Sequence, residues 1–101
     1  MIEELKTQRF RLLNVLYNWC EGDTRKWIDL KELCNLRSIP FADKAYHYLE
    51  NEGLIAYYCS GYTCYLTHKG VKAIEDAWND VNQSSYYFPP VARIMPPNGT
   101  I

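Results

Sequence analysis

Two cysteines flank a four-residue turn in the segment GLIAYYCSGYTCYLTHKG, which spans residues 53–70. In a regular hairpin, Cys59 and Cys64 would be directly opposed, with Cβ atoms about 4.5–5.5 Å apart. That separation permits a disulfide or a shared metal ion. The two residues are therefore either a redox-sensing pair or a cross-strand pair of small hydrophobic side chains.

The other residue types that could do chemistry give no catalytic pattern. Zinc would need two more ligands, and the chain has no CxxC or HxxxH spacing. Cys20 and Cys34 lie on apolar helix faces and are expected in the core. His47 and His68 are the only histidines, and no GxSxG, GxGxxG or Walker-type loop is present. We therefore expect no enzyme, no bound metal and no cofactor.

Length and charge set the broad class. The chain has 101 residues, 48% of them hydrophobic and 15% aromatic, which predicts one folded domain. Eleven Lys and Arg against twelve Asp and Glu give a net charge of −1. Many nucleic-acid-binding proteins are strongly basic, so this net charge counts against that class. It is still compatible with a local basic face. No apolar run spans a membrane and the N-terminus does not resemble a secretory signal, so we expect a cytoplasmic protein with reduced thiols.

The apolar periodicity predicts four helices and one hairpin. A first helix covers residues 2–20 and a short second helix begins after Asp29 as its N-cap. Pro40 suits the first position of a third helix, which runs to about Glu52 and ends at Gly53. The runs LIAYYC and TCYL form a hairpin, and Thr67 caps a fourth helix over about residues 68–82. The side chains expected to face inward from the second, third and fourth helices are Leu30, Leu33, Leu36, Ala42, Ala45, Tyr46, Leu49, Val71, Ile74 and Trp78.

The composition changes at Ser84. The last segment, SSYYFPPVARIMPPNGTI, holds four of the five prolines and no acidic residue. A segment of this composition is typical of an extended arm or a loose tail. We therefore expect one domain over residues 1–83, followed by a Pro-rich, aromatic arm over residues 84–101.

Two motifs carry a resemblance to a known superfamily. YLENEGLI at Tyr48–Ile55 and YLTHKG at Tyr65–Gly70 resemble the end of the recognition helix and the segment after the wing in winged helix-turn-helix regulators, such as the bacterial MarR and PadR families. The resemblance implies a mostly helical α+β fold with a three-helix core, a β-hairpin wing and a C-terminal helix. In those families the third helix enters the major groove of DNA and the wing contacts the backbone or the minor groove.

The resemblance implies a set of DNA-contacting residues. These are the outward positions of the third helix, the wing tip and a surrounding basic rim: Arg25, Lys26, Lys31, Arg37, Phe41, Lys44, His47, Tyr48, Asn51, Tyr62 and Lys69. Two features depart from the family pattern. From residue 40 to residue 53 one Lys faces three acidic residues, a local charge of −2, and the wing tip Ser60-Gly61-Tyr62 has no cation.

The resemblance favours a small transcription regulator that binds double-stranded DNA. The alternative is a non-catalytic protein-protein interaction module, an adaptor of the same fold. The tyrosines of the hairpin alternate between two faces, so some must be exposed. They could contact a protein partner or stack on nucleic-acid bases. The lack of cations between the tyrosines favours the protein partner. We also expect a homodimer through the N-terminal helix, the C-terminal helix and the arm.

Overall fold

The computed structural model describes residues 2–94. A long helix comes first, and three short strands and four further helices follow it within the described residues. The elements in chain order are α1 (Ile2–Cys20), β1 (Trp27–Asp29), α2 (Leu30–Leu36), α3 (Asp43–Asn51), β2 (Ile55–Tyr57), β3 (Thr63–Leu66), α4 (His68–Asn79) and α5 (Val91–Ile94). The predicted mostly helical α+β class is confirmed.

The sheet has three antiparallel strands in the order β1-β3-β2. The hairpin β2–β3 was predicted, whereas β1 was not. In the register between β1 and β3, Trp27 lies opposite Tyr65 and Ile28 opposite Cys64. Because side chains alternate across a strand, Cys64 points to the buried face and Tyr65 to the outer face.

Helix α1 lies at the centre of the core. Five consecutive residues, Leu12 to Leu16, are buried, which is possible only for a helix covered on several sides. It contacts α2, α3, α4 and β3. The one polar side chain of this run, Asn14, accepts a hydrogen bond of 2.9 Å from Trp78 Nε1 and is thereby satisfied inside the core.

Local capping chemistry sets three of the helix ends as predicted. The carboxylate of Asp29 accepts from the backbone N–H of Glu32 at 3.1 Å and starts α2. The hydroxyl of Thr67 accepts from the N–H of Gly70 at 3.0 Å and starts α4. Gly53, with φ +76°, ends α3 in the left-handed conformation that a glycine adopts without strain.

Two helix boundaries and one inward position were predicted wrongly. Helix α3 begins at Asp43 rather than Pro40, because Ala42 is extended, with φ −116° and ψ 114°. Helix α4 stops at Asn79 rather than near Asn82, since Asp80 is also extended. Leu36, expected on the inner face of α2, is 76% exposed, because α2 ends at this residue.

The C-terminal segment packs against the rest of the fold up to the last described residue, and the domain boundary at residue 84 stays a prediction. Phe88, Val91 and Ile94 are buried. The ring of Phe88 meets the ring of Phe10 edge-on at a centroid distance of 5.3 Å, and Arg93 forms an ion pair with Glu3 at 2.9 Å. Residues 95–101 of the predicted arm lie outside the described residues.

Candidate nucleic-acid interface

The hairpin is held against the start of α3 by a cluster of aromatic rings. The ring of Tyr62, in the hairpin turn, lies 4.7 Å from the ring of Phe41 and 4.9 Å from that of Tyr46, both edge-on. The hydroxyl of Tyr62 also donates a hydrogen bond to the carboxylate of Asp43 in the first turn of α3. The turn of the hairpin and the beginning of α3 therefore form one continuous surface.

The acidic side chains on the outer face of α3 have partners. Nε2 of His47 lies 3.4 Å from the carboxylate of Asp43, and its Nδ1 lies 3.7 Å from that of Glu50. The Asp43 carboxylate thus contacts both the Tyr62 hydroxyl and the His47 imidazole. The hydrogen bond to Asp43 raises the pKa of Tyr62 above its usual range. Lys44, the only lysine or arginine of α3, is exposed on the same helix.

The residues predicted to contact DNA separate into three places. The first group is next to α3: Lys31 Nζ lies 5.9 Å from the centre of the Tyr62 ring, and Phe41 packs on that ring. Lys44, His47 and Asn51 are exposed along α3 itself. Arg37 is exposed at the end of α2. This group is the part of the predicted set that could approach one DNA segment together.

The second and third groups lie elsewhere. Arg25 and Lys26 are exposed just before β1, where the guanidinium of Arg25 pairs with Asp23 at 3.2 Å and lowers the pKa of that carboxyl. Lys69 lies on α4, with its Nζ 6.0 Å from the ring centre of Tyr87. Tyr48 is half-buried under the guanidinium of Arg9, which lies 3.6 Å from its ring centre.

Sequence reasoning missed Trp27 as a surface residue. Its ring lies 4.6 Å from the ring of Tyr58, with an angle of 36° between the planes, and 53% of the residue is exposed. The signal in the sequence was the short run Trp27–Asp29 before the predicted helix. Three residues are too few for periodicity to identify a strand, so this contact depended on the pairing of β1 with β3.

The predicted direct opposition of Cys59 and Cys64 is wrong. Cys64 lies opposite Tyr57 in the β2–β3 register. Cys59 is exposed in the turn with φ +76°, whereas Cys64 is buried, and both are free thiols. Burial raises the pKa of Cys64 to about 12 and that of Cys34 to about 11. Only Cys59 presents its thiol to solvent, so these two cysteines are not arranged as a cross-strand pair.

Within residues 2–94, no group of three or more His, Cys, Asp and Glu side chains is placed to hold a metal ion. His47 is part of the α3 surface, and His68 is exposed in the first turn of α4. None of the described helices combines the length and apolar character needed to cross a membrane.

The predicted dimer surfaces contact one another within the chain. Phe10 of α1 packs on Trp78 of α4 at 6.1 Å and on Phe88 of the C-terminal segment. Part of the apolar surface remains uncovered, since Ile2 is 70% and Trp78 40% exposed. The homodimer stays a prediction.

Comparison with protein-family models, with curated proteins and with solved structures gave no significant match.

Proposed function

We propose that this chain is a small transcription regulator that binds double-stranded DNA through a winged helix-turn-helix. The order α1-β1-α2-α3-β2-β3-α4, with β2 and β3 as a hairpin, supports this architecture. Helices α2 and α3 would form the helix-turn-helix, with α3 as the recognition helix and the turn after β2 as the wing tip. Lys44, His47 and Asn51 would then face the major groove.

The observation that carries the proposal is the link between Tyr62 and Asp43. It places the hairpin turn and the first turn of α3 side by side, as a wing and a recognition helix must be to contact neighbouring parts of one duplex. It also gives Asp43 a partner. The Tyr62 hydroxyl, as a hydrogen-bond donor, partly offsets the negative potential of Asp43 toward phosphate groups, and His47 lies near both Asp43 and Glu50.

The phosphate contacts of this proposal come from a few cations. Lys31, Arg37 and Lys44 surround the α2–α3 turn, and each is exposed. With about three phosphates neutralised per chain, we expect a slope of log affinity against log salt near −2.7. A homodimer would double the number of contacts, and the exposed Ile2 and Trp78 offer apolar surface for it.

The test measures binding of the intact protein to a random-sequence duplex at increasing salt concentrations, with fluorescence anisotropy as the readout. We expect an affinity that falls steeply as salt rises from about 50 mM to about 200 mM. Lys44→Gln should lower the magnitude of the slope by about 1 per chain. Lys72→Gln is the matched control, because Lys72 is also exposed but lies on α4, where it pairs with Asp76 at 3.8 Å.

Two results would contradict the proposal. One is the absence of duplex binding at micromolar protein. The other is an equal loss of duplex affinity in Lys44→Gln and Lys72→Gln, since this would show that α3 is not the duplex-binding surface.

The protein-interaction alternative has one specific observation in its favour. Helix α3 and its C-cap carry Asp43, Glu50 and Glu52 against the single Lys44. An acidic helix beside an uncharged aromatic hairpin is suited to a basic protein partner. On this alternative the protein folds normally but shows no salt-sensitive affinity for duplex DNA, so the titration above separates the two functions.

A further inference from the structure

The outer face of the sheet presents aromatic rings to solvent. In the register of the sheet, Trp27, Tyr65 and Ala56 form one row across the three strands. Tyr58 continues from β2, where its N–H donates to the carbonyl of Thr63 at 2.8 Å. The rings of Trp27 and Tyr58 stack on each other and remain 53% and 42% exposed. Tyr62, which faces α3, belongs to the opposite face.

The charges beside these rings are two cations and two carboxylates, and both carboxylates accept hydrogen bonds within the chain. Arg25 and Lys26 directly precede Trp27, and Lys26 forms no ion pair within residues 2–94. The carboxylate of Asp29 caps α2 by accepting from the N–H of Glu32. That of Asp23 accepts from the backbone N–H and the guanidinium of Arg25.

The pair between Arg25 and Asp23 does not remove Arg25 from the surface. The Arg25 side chain is 87% exposed, so the pair contributes little and a phosphate can replace the carboxylate as its partner. Of the other outward positions of the sheet, Ala56, Thr63 and Tyr65 are uncharged, and Asp29, opposite Thr63, is the residue that caps α2. The face therefore combines exposed aromatic rings with two cations at one edge and one carboxylate, that of Asp29, which caps a helix.

We propose that this outer face binds single-stranded nucleic acid. Unpaired bases stack on Trp27 and Tyr58, and Arg25 and Lys26 bind the adjacent phosphates. Stacking requires the faces of the bases, which a duplex keeps covered and a single strand exposes. The cations favour a polyanion over an apolar peptide as the occupant. The surface is distinct from the α3 interface, so it does not depend on duplex binding.

The proposal has quantitative consequences. Two phosphate contacts on a single strand give a slope of log affinity against log salt near −1.4, shallower than that expected for the duplex. Loss of one base-stacking ring should weaken binding by about 5- to 150-fold. Both effects can be measured on the intact protein.

The experiment uses a fluorescein-labelled thymidine oligonucleotide of about 12 nucleotides, within the range of site sizes for single strands. Anisotropy is measured against intact protein near 50 mM salt, a concentration that leaves electrostatic contacts strong. Trp27→Ala and Tyr58→Ala should each weaken binding within the range above. Arg25→Gln combined with Lys26→Gln should bring the salt slope close to zero.

Two control variants test the location of binding. Tyr86→Ala removes a ring that is 85% exposed on the C-terminal segment and should bind like the unaltered protein. Lys44→Gln, on α3, should also leave binding to the single strand unchanged. Circular dichroism tests whether each variant is folded. We expect Trp27→Ala and Tyr58→Ala to fold, because both side chains are exposed.

Three outcomes would overturn the proposal. The first is no binding of the oligonucleotide, or binding that Trp27→Ala and Tyr58→Ala leave intact. The second is an equal loss of oligonucleotide affinity in Lys44→Gln, which would show that the oligonucleotide binds at α3 and not at the outer face of the sheet. The third is Trp27-dependent binding of a proline-rich peptide without binding of the oligonucleotide, since aromatic surfaces also bind such segments. The duplex titration is read separately, so failure of one proposal leaves the other standing.

Discussion

The hydroxyl of Tyr62 donates a hydrogen bond to the carboxylate of Asp43, joining the turn of the hairpin to the first turn of α3. The two residues are far apart in the chain, and each belongs to a segment with its own local conformation. Together with the packing of the Tyr62 ring on Phe41 and Tyr46, this contact holds the hairpin turn against the helix, and the proposed duplex interface depends on it.

Tyr62→Phe tests this contact. The variant keeps the ring packing but removes the donor, so Asp43 loses one of its two partners and repels phosphate more strongly. We expect the free energy of unfolding to fall by about 0.5–1.5 kcal/mol, and duplex affinity at low salt to fall as well. Urea denaturation and duplex anisotropy measure the two effects.

Tyr57→Phe is the matched control for this variant. The Tyr57 hydroxyl donates to the carbonyl of Cys59 at 2.7 Å, within the hairpin. It should leave duplex affinity unchanged. Equal loss of duplex affinity in both variants would contradict the role given to the Tyr62–Asp43 bond.

Tyr46→Phe should have the opposite effect on stability. The Tyr46 hydroxyl is buried and has no hydrogen-bond partner among the described residues, and burial raises its pKa. Removing an unsatisfied buried polar group relieves its desolvation penalty, which is about 1–3 kcal/mol. We expect urea denaturation to show unchanged or increased stability. A clear loss would show that the hydroxyl has a partner.

Phe88→Ala tests whether the C-terminal segment belongs to the core. Phe88 is buried against Phe10, so its removal leaves a cavity and should lower the free energy of unfolding by about 3–5 kcal/mol. Tyr86→Ala, two residues earlier and 85% exposed, should change it by less than about 0.5 kcal/mol. Similar, small effects of both variants in thermal or urea unfolding would favour a loose arm.

Thiol accessibility follows from the burial of the cysteines. Cys20, Cys34 and Cys64 are buried and Cys59 is exposed. Native protein should therefore show one rapidly reacting thiol with Ellman's reagent, and all four should react in denaturant. Cys59→Ser should remove the rapid phase. A mild oxidant should produce no disulfide between Cys59 and Cys64, and mass spectrometry of a tryptic digest would reveal one if it formed.

Stability should fall at alkaline pH. The thiols of Cys34 and Cys64 ionise near pH 9 in the unfolded chain, but burial raises their pKa to about 11 and about 12 in the folded protein. Below pH 9 both states keep the protons. Between pH 9 and the folded pKa only the unfolded state loses them, so the free energy of unfolding falls by up to about 1.4 kcal/mol per pH unit for each thiol.

Urea midpoints at about pH 8 and about pH 10 measure this fall. Cys64→Ala should make it shallower, and Cys59→Ser, which removes the exposed thiol, should leave it as it is. A midpoint that stays constant or rises with pH would contradict the assignment to the buried thiols.

Local chemistry made several features predictable. The caps at Asp29 and Thr67 and the glycine at residue 53 each act within a few residues of the helix end that they define. The apolar spacing of α1 and the hairpin runs likewise depend on neighbours in sequence. The predicted resemblance to winged helix-turn-helix regulators rests on two short motifs, at Tyr48–Ile55 and Tyr65–Gly70.

Features that depend on distant partners were missed. β1 exists because Trp27 and Ile28 pair with Tyr65 and Cys64 of β3. The cysteines fell out of register because the turn begins earlier than the spacing suggested, with Cys59 in the left-handed conformation. The prolines of the last segment suggested an arm, yet Phe88 finds a buried place on α1.

The sequence by itself determined the helix caps, the hairpin, the mostly helical α+β class and the near balance of charge, because each depends on residue type and short-range spacing. The tertiary structure decided which surfaces could bind a partner. Only folding placed Tyr62 on Asp43, Trp27 on Tyr58 and Phe88 on Phe10. Such contacts join segments tens of residues apart, and the core that forms between those segments selects them.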